Sequence, residues 1–380
     1  MNIIKTIFAI SIPILVLALS HYYLWMRLVR DPDWPETTQR ILTIGLIAAA
    51  FLVPIGLLIG WFLTPAYIRS VAWVGFTWMG LFFLLLVTTF ASEFLRLFGA
   101  DPDLSRRLLL SRGIAFGVTG LSLTTGAYAM TRALRPIGVK EIDITLDKLP
   151  RSLDGFVIAQ ITDVHIGSTI RREFLEQVVA KVNALNPGII AITGDIVDGS
   201  VDHLRECTEP FSQLKARYGA FFVTGNHEYY SGADAWIAEF QRLGIRTLRN
   251  ERVQIGEQGK AFDLVGIDDW SAHHFGHGAD LPKALKGRDN AAVCVLLAHN
   301  PMAATEAIEN GVDLQLSGHT HGGQIWPFNF VVRLFSKWVV GLYQERSTQI
   351  YVSPGTGYWG PPMRLGTEAE ITKIVLRARP

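Results

Sequence analysis

The first third of the chain alternates long apolar runs with short charged connections. Four runs of about 20 residues are each long enough to cross the hydrocarbon core of a bilayer. They cover residues 6–26, 41–62, 71–91 and 113–133. Apart from Arg132 in the last run, these segments contain no Asp, Glu, Lys or Arg. We therefore predict a transmembrane region of about four helices over residues 1–138.

The first run follows Lys5, so it can also be interpreted as a signal peptide with a poor cleavage site at residues 18–20. Three spans remain in that case, and both interpretations predict an integral, multi-pass membrane protein. Positive charges flanking the runs are more numerous on one side, which the positive-inside rule assigns to the cytoplasm. That side has Arg27, Arg30, Arg40, Arg96, Arg106, Arg107 and Arg112, against Lys5, Arg69, Arg132, Arg135 and Lys140. The imbalance predicts a C-terminal domain outside the cytoplasm.

From about residue 140, short runs of β-branched and apolar residues alternate with amphipathic helical stretches, which is typical of an α/β domain. Strands are predicted over residues 156–161, 189–193, 220–224, 262–267, 292–298, 312–316 and 349–352, with a last strand near 371–376. A helix over residues 171–185 separates the first two strands, and Asn186-Pro187-Gly188 ends it. We assign this domain to residues 139–380.

Polar side chains follow several of these strands at the point where each strand ends. The loops contain Asp163 and His165 in TDVHIG, Asp195 in TGDIVDG, Asn226 and His227 in TGNHEYY, His299 in AHNP, and His319 and His321 in GHTHGG. Each residue alone also fits a turn, a cap or a core role. Because ligands bind at the carboxyl ends of strands in open α/β sheets, their repetition predicts one convergent site.

The chemistry of this predicted site is that of a metal centre. Oxygen and imidazole ligands without thiolate suit Mn²⁺, Fe or Zn²⁺, and their number indicates more than one ion. Two ions close together are a known solution for displacement at phosphorus. The loops therefore predict a hydrolytic site with two divalent metal ions.

Composition narrows the choice of function. The 380 residues have a net charge of +1 and include 2 cysteines, and the mean hydropathy of +0.26 is too apolar for an ordinary soluble enzyme. Without a basic block, no nucleic-acid partner is expected. Cys207 and Cys294 suggest neither a disulfide framework nor a thiolate metal site.

Taken in order, the motifs resemble the calcineurin-like metallophosphoesterase family. The family pattern D-x-H, G-D, G-N-H-(D/E), H and G-H-x-H is intact and covers roughly residues 140–380. LDGFVIAQITDVHIG and GHTHGGQIW further resemble a membrane-associated bacterial branch, whose members act on phosphodiesters or on nucleotide-linked lipid precursors. The resemblance implies a four-layer α/β/β/α sandwich with the metals at one edge, behind the N-terminal four-helix transmembrane region.

The resemblance also implies a role for each site residue. One ion would be bound by Asp163, His165 and His321, the other by Asn226, His299 and His319, with Asp195 as the bridge. A bridging hydroxide would attack phosphorus in line. His227 matches the non-ligand histidine of the family and would stabilise charge, act as general acid, or support the site by hydrogen bonding. Asp198, Glu228 and Asp268 are candidates to orient ligand imidazoles.

Two features downstream bear on the substrate. Val331, Leu334, Phe335, Trp338, Val339 and Leu342 recur at helical spacing. They predict an amphipathic helix that either lies on the membrane surface and admits a lipid head group or packs on the sheet. Arg364, in the Gly- and Pro-rich loop 355–366, is a candidate contact to a substrate phosphate.

The predicted function is a membrane-anchored phosphoesterase that hydrolyses phosphodiester or pyrophosphate bonds, including those of lipid-linked substrates. Two alternatives remain open on the sequence. One is a non-catalytic metal-binding membrane sensor or scaffold, and the other is a metal hydrolase of a non-phosphate ester or amide. Side-by-side assays on activated phosphodiesters and carboxyl esters separate the phosphoesterase from the ester hydrolase. Failure of the purified, Mn²⁺-loaded protein to hydrolyse any phosphodiester would favour the sensor.

Overall fold

The computed structural model describes residues 3–62, 66–97, 104–257 and 260–379. The chain divides into two compact units. The first comprises Met1–Ile59, Pro65–Thr131 and Gly360–Met363, and the second comprises Gly60–Thr64, Arg132–Trp359 and Arg364–Pro380. The domain boundary at residue 138 stays a prediction.

The first unit is built from long helices. They are α1 (Ile3–Trp25), α2 (Glu36–Phe62), α3 (Ala66–Leu97) and α4 (Leu104–Leu134). By length and composition, 4 helices in the described ranges are able to cross a membrane, as predicted. Many of their apolar side chains are exposed, including Leu109 at 74% and Phe116 at 70%, which suits a hydrocarbon environment. The helices are longer than the apolar runs because polar turns continue them: Glu36 and Arg40 form an ion pair of 2.7 Å in the first turns of α2.

The second unit contains two 6-stranded sheets. The strands are β1 (Gly138–Leu146), β2 (Phe156–Ile161), β3 (Ile189–Ile192), β4 (Ala220–Phe222), β5 (Ile245–Thr247), β6 (Glu251–Glu257), β7 (Lys260–Gly266), β8 (Cys294–Leu297), β9 (Leu314–Ser317), β10 (Gly341–Glu345), β11 (Thr348–Val352) and β12 (Glu370–Ala378). The first sheet has the order β1-β12-β2-β3-β4-β5, and the second has the order β10-β11-β9-β8-β7-β6. Within them, β2, β3, β4 and β5 run parallel, as do β7, β8, β9 and β11.

Helices cover the outer face of each sheet. They are α5 (Arg172–Ala184), α6 (Val201–Thr208) and α8 (Ala233–Arg242) on the first sheet, and α9 (Leu281–Leu285) and α10 (Ala304–Glu309) on the second. Two further short helices, α7 (Asn226–Ser231) and α11 (Phe328–Phe335), lie in the connections. The predicted order of layers, α/β/β/α, is confirmed.

Alternation along the strands explains the layers. In β3, Ile190 and Ile192 pack among the helices while Ile189 and Ala191 face the other sheet. Because neighbouring residues of a strand point to opposite faces, a strand covered on both sides must be apolar throughout. The central strands therefore appear in the sequence as continuous apolar runs.

The strands that the sequence pattern did not predict are β1, β5, β6 and β10. All of them lie at the edges of the two sheets. The residues of β1 are mostly exposed in its first half, and the burial of β10 alternates between half-buried and exposed. Edge strands are half covered, so their residues do not form the apolar runs that reveal central strands.

The helix predicted from Val331 to Leu342 is wrong in its extent. Helix α11 begins at Phe328 and ends at Phe335. Trp338 is buried in a small apolar cluster with Ile350 and Val352, and the following residues pair with β11 as strand β10. Tertiary packing of Trp338 thus ends the helix, although the spacing of apolar residues continues.

Candidate metal centre

The loops that carry the predicted ligands converge between the two sheets. Those after β2, β3 and β4 come from the first sheet, and those after β8 and β9 come from the second. They bring Asp163, His165, Asp195, Asn226, His227, His299, His319 and His321 to one place. The predicted convergence at the carboxyl ends of the strands is therefore present, with contributions from both sheets.

One group of donor atoms is formed by Asp163, His165 and His321. A ligand atom from each lies within 4.8 Å of the other two. The Nε2 atoms of His165 and His321 are 3.0 Å apart, and Nε2 of His321 is 3.4 Å from Oδ1 of Asp163. All three residues are buried.

A second group surrounds Nε2 of His299. This atom lies 3.1 Å from Oδ2 of Asp195, 3.2 Å from Oδ1 of Asn226 and 3.1 Å from Nδ1 of His319. The carboxylate oxygen of Asp195, the amide oxygen of Asn226 and the two ring nitrogens thus face a common point. Burial opposes a charge on His299, but the Asp195 carboxylate dominates and raises the pKa of this imidazole well above its usual value.

The tautomers of two histidines show that these donor sets fit a cation. His299 donates Nδ1–H to the carbonyl of Thr193 at 2.9 Å, and His165 places Nδ1 3.1 Å from a carboxylate oxygen of Asp198. Because a carbonyl or carboxylate only accepts, each ring directs its Nε2 lone pair into the site once that nitrogen releases its proton, as a metal ligand must. Lone pairs held about 3 Å from one another repel unless a positive charge lies between them, which is the environment that a metal ion provides.

The ligand carboxylates are oriented by backbone groups. The N–H of His319 donates to both oxygens of Asp163, at 2.9 and 3.1 Å, and the N–H of His227 donates to Oδ1 of Asp195 at 2.9 Å. This leaves Oδ2 of Asp195 beside His299. Fixed carboxylates of this kind lose little entropy when they bind an ion.

Glu228 ties two of the loops together. Its buried carboxylate accepts backbone N–H groups from Asp195 at 2.9 Å, Ile196 at 2.7 Å and Gly225 at 2.7 Å. Burial, with the nearby Asp195 charge, raises the pKa of Glu228 to about 7. Its role is to hold the loops after β3 and β4 at a fixed distance, which supports the ligands indirectly.

The ligand loops have an unusual backbone. Five of the candidate ligand residues adopt the left-handed conformation: Asp163 at φ 50°, His165 at 56°, Asp195 at 53°, His319 at 72° and His321 at 50°. Each such residue costs of the order of 1–3 kcal/mol and persists only where the surroundings impose it. Glycine is also required at one position for close approach: a Cβ at Gly318 would lie 2.0 Å from Oδ2 of Asp163.

His227 lies beside the two donor groups. Its Nδ1 is 2.6 Å from Oδ1 of Asp198, and its Nε2 is 3.8 Å from Oδ2 of Asp195. Burial lowers the pKa of His227, but Asp195 and Asp198 outweigh it and raise the pKa to about 9. The rings of Tyr230 and Trp359 stand nearly edge-on to the imidazole, 5.6 and 5.8 Å away.

Asp198 is the acidic partner that the sequence proposed for the imidazoles. One of its oxygens contacts Nδ1 of both His165 and His227. Burial opposes ionisation, yet these two rings hold the pKa of the Asp198 carboxyl far below its usual value. Asp268 does not share this role, because its carboxylate pairs with Arg249 at 3.0 and 2.9 Å.

The structure corrects the expectation for Arg364. This guanidinium is fully buried and donates to the carbonyls of Gly357 at 2.6 Å and Pro354 at 2.8 Å. It also lies 3.4 Å from Nδ1 of His321. Arg364 therefore braces the loop behind a ligand histidine, and its donors are occupied by backbone instead of facing a substrate phosphate.

Three threonines were missed in the sequence. Thr162, Thr193 and Thr224 are the first residues of the TD, TGD and TGN motifs, and all are completely buried. The hydroxyl of Thr162 donates to Oδ2 of Asp163 at 2.6 Å, and Thr193 supplies the carbonyl that orients His299. The repeated Thr at each strand end was a signal for this support.

Comparisons with known proteins agree with this geometry. The family model for the calcineurin-like phosphoesterase matches residues 156–323. The chain is 35% identical over 390 residues to a transmembrane protein with metallophosphoesterase domain from Danio rerio, covering 95% of this chain and 87% of that protein. It is 39% identical over 241 residues to an uncharacterized metallophosphoesterase of Helicobacter pylori, covering 63% of each.

A further relative is matched over almost its whole length. The uncharacterized metallophosphoesterase YkuE of Bacillus subtilis is 30% identical over 285 residues, which cover 72% of this chain and 98% of that protein. Members of this family are metal-dependent phosphoester hydrolases, and the clustered Asp and His side chains of this chain are the residues such an enzyme requires. The chain belongs to the calcineurin-like phosphoesterase family.

Proposed function

We propose that this membrane protein is a phosphoesterase with a dinuclear metal centre that hydrolyses phosphodiester or pyrophosphate bonds. The observation that carries the proposal is the position of Asp195. Its carboxylate lies within 4.8 Å of a ligand atom of His165 on one side and of His299 and His319 on the other. A carboxylate between two donor groups supports a bridging role.

The proposed ligands follow from the two groups. Asp163, His165 and His321 would hold one ion, Asn226, His299 and His319 the other, and Asp195 both. Mn²⁺, Fe and Zn²⁺ suit this mixture of carboxylate, amide and imidazole. When bound, such ions lower the pKa of water and neutralise charge on phosphoryl oxygens.

His227 is the proposed acid. Its Nδ1 is held by Asp198 at 2.6 Å, and its Nε2, which lies 3.8 Å from Oδ2 of Asp195, is the proposed donor to the leaving group. A pKa raised to about 9 supports a protonated ring at neutral pH. The bond to Asp198 fixes the orientation of the ring, as the third member of a catalytic array does. A protonated His227 also stabilises negative charge that develops on the phosphoryl group.

The membrane helices support a lipid-linked phosphoester as substrate. A lipid reaches an enzyme within the bilayer surface and needs no soluble phase, so an anchored enzyme meets it at high local concentration. Soluble phosphodiesters remain within the same chemistry, since the proposed ligands and acid act on the phosphoryl group alone.

We further propose that the second unit lies outside the cytoplasm. Arg112 donates to the carbonyl of Pro32 at 2.9 Å, so the start of α4 and the α1–α2 connection share one end of the first unit. The larger set of flanking arginines therefore acts at one face of the membrane. Labelling of single cysteines at Asp33 and Lys140 by an impermeant reagent in intact cells tests this assignment.

The test of function uses the full chain in nanodiscs loaded with Mn²⁺. Wild type is expected to hydrolyse bis(p-nitrophenyl) phosphate and to leave p-nitrophenyl acetate intact. Asp195→Asn and His227→Ala are each expected to lower phosphodiester turnover by about 10²–10⁴-fold, whereas Asp202→Asn, an exposed carboxylate on α6, serves as the control. Turnover like wild type in either site variant contradicts the mechanism. Metal binding without any turnover would favour a sensor, and cleavage of the acetate alone would favour the ester alternative.

A further inference from the structure

Helix α11 exposes its apolar side chains, whereas a helix on a folded domain normally packs them against the core. All 8 of its residues are described and none is buried. Leu334 and Phe335 are each 79% exposed, Phe330 is 57% exposed, and Phe328 and Val331 are 44% and 42% exposed. Contiguous exposed apolar side chains of this kind mark a site of interaction with a partner or a membrane.

This exposure does not come from a loosely attached segment. Before the helix, Trp326 donates its N–H to the carbonyl of Leu365 at 2.8 Å, and Ile325 forms a β-bridge with Leu365. After the helix, Trp338 is buried, and the hydroxyl of Thr320 donates to the carbonyl of Val339. Both ends of α11 are therefore anchored to the second unit.

The inward side of the helix is equally defined. A Cβ at Gly323 would lie 2.4 Å from the Cα of Asn329. Asn329 therefore rests against the loop of residues 318–323, which we call the histidine loop. At 100° per residue, Val331, Leu334 and Phe335 lie on the side away from Asn329. The close approach to Gly323 thus fixes the rotation of α11 so that its most apolar face points outward.

The bilayer is the occupant that this face fits. The same chain has four helices able to cross a membrane. Only residues 135–137 separate α4 from β1, a connection that reaches at most about 10 Å. The second unit is therefore joined by a short connection to helices that can cross a bilayer.

The composition of α11 is also that of an interfacial helix. Phe328, Phe330 and Phe335, with the exposed Trp326 before them, are aromatic residues of the kind found at membrane surfaces. Arg333 forms no ion pair with any residue in the described ranges, whereas Lys337 is paired with Glu345 at 2.6 Å. Arg333 is thus available to anionic lipid headgroups.

We propose that α11 inserts its apolar face into the surface of the bilayer that holds α1–α4, with Val331, Leu334 and Phe335 among the acyl chains. The histidine loop continues into α11 through residues 324–327, a connection that is itself held by the hydrogen bond from Trp326 to Leu365. The insertion would therefore place the entrance to the metal centre at headgroup level. This second step rests on the proposed function, whereas the insertion itself does not.

The insertion is tested with the full chain in nanodiscs, without any assay of activity. Cys207 and Cys294 are both buried, so a cysteine introduced at an exposed position is labelled selectively. We compare an environment-sensitive fluorophore on Leu334→Cys with one on Lys215→Cys, an exposed site that precedes β4 at the opposite end of the strands. Protein without an added cysteine gives the background.

Phosphatidylcholine with a doxyl group near the headgroup is the probe. Doxyl lipid is expected to quench most of the fluorescence at residue 334 and to leave residue 215 unaffected. Quenching at 334 as weak as at 215 would overturn the proposal. Energy transfer between labelled copies, in place of lipid quenching, would overturn it as well and would assign the face to a second copy of the chain.

The delivery step is tested by a pair of substrates in the same nanodiscs. The double variant Leu334→Gln, Phe335→Gln is expected to hydrolyse phosphatidyl-p-nitrophenol about tenfold more slowly and bis(p-nitrophenyl) phosphate at the wild-type rate. Trp270→Gln, which removes another exposed aromatic ring outside α11, is the matched control. Equal loss on both substrates would overturn the delivery step. Absence of both activities in wild type would reject the proposed function, and the quenching result would still decide the insertion.

Discussion

The loops of the metal centre and helix α11 depart from the normal distribution of polarity in opposite directions. At the centre, the charged or polar side chains of Asp163, Asp195 and His299 are almost completely buried. On α11, which follows the last loop of the centre along the chain, Leu334 and Phe335 are each 79% exposed. Folding alone favours neither arrangement, because buried charge costs desolvation and exposed apolar surface costs hydration.

The two regions also differ in how the backbone tolerates the departure. The ligand loops use left-handed residues and close contacts at glycine, so they are rigid and depend on every neighbour. Helix α11 is regular, is held at both ends and touches the rest of the unit at Asn329, while its apolar face stays exposed. Small substitutions in the buried polar site should therefore lower turnover and metal binding strongly. Substitutions on the exposed apolar helix should have an effect only when its binding partner is present.

The largest expected effect tests the rigidity of the centre. In Gly318→Ala the new Cβ would meet Oδ2 of Asp163 at 2.0 Å and Oγ1 of Thr162 at 2.3 Å. These contacts are too short, so the Asp163 carboxylate must move. A displacement of about 1 Å is expected to lower turnover by about 10²-fold and to reduce the bound metal. The control is Gly278→Ala, where no atom of the described chain lies within 4 Å of the added Cβ. Normal turnover and metal content in Gly318→Ala would show that the loops are more adaptable than their geometry indicates.

A smaller effect is expected from the support of the imidazoles. Asp198→Asn removes the charge that faces both His165 and His227, and we expect metal affinity or turnover to fall about 10–100-fold. Asp268→Asn is the matched control, because this buried carboxylate pairs with Arg249 and touches no ligand. Titration of Mn²⁺ against activity gives both quantities. Similar losses in the two variants would mean that Asp198 contributes only to folding.

The smallest effect is expected on α11. Leu334→Gln in detergent should change the free energy of unfolding by less than about 0.5 kcal/mol. The reason is that Leu334 is 79% exposed and loses few packing contacts. Leu316→Ala, on a completely buried residue of β9, should cost about 2–5 kcal/mol. Thermal unfolding of both variants checks the contrast. A large loss with Leu334→Gln would show that α11 is part of the core and would remove the comparison.

The predictability of the fold follows from the environment of each strand. Central strands such as β3 and β8 are covered on both faces, so their apolar runs were found within one or two residues. The edge strands β1, β5, β6 and β10 were missed because half-covered strands have mixed polarity. The long N-terminal helices were found for a related reason, since a helix that can cross a membrane must be apolar over most of its length.

The site was predicted well where chemistry limited the residue type and poorly where packing decided it. The candidate ligands that the sequence proposed lie together in the structure and Asp198 contacts two imidazoles of the site, because few side chains bind metals or orient imidazoles; their role as ligands stays a prediction. Arg364 was misassigned, since the sequence gives no sign that carbonyls of Gly357 and Pro354 surround its guanidinium. The end of α11 was misplaced because the burial of Trp338 overrides a spacing that is still helical.

The sequence by itself determined the apolar membrane segments, the central strands and the residue types of the candidate metal loops. These properties depend on residue type and on short-range periodicity, which are local. Only the tertiary structure decided that loops from two different sheets meet, that Asp195 stands between the donor groups, and that α11 turns its apolar face outward. Those properties depend on contacts between residues far apart in the chain, such as Asn226 with His299, and such contacts exist only after folding.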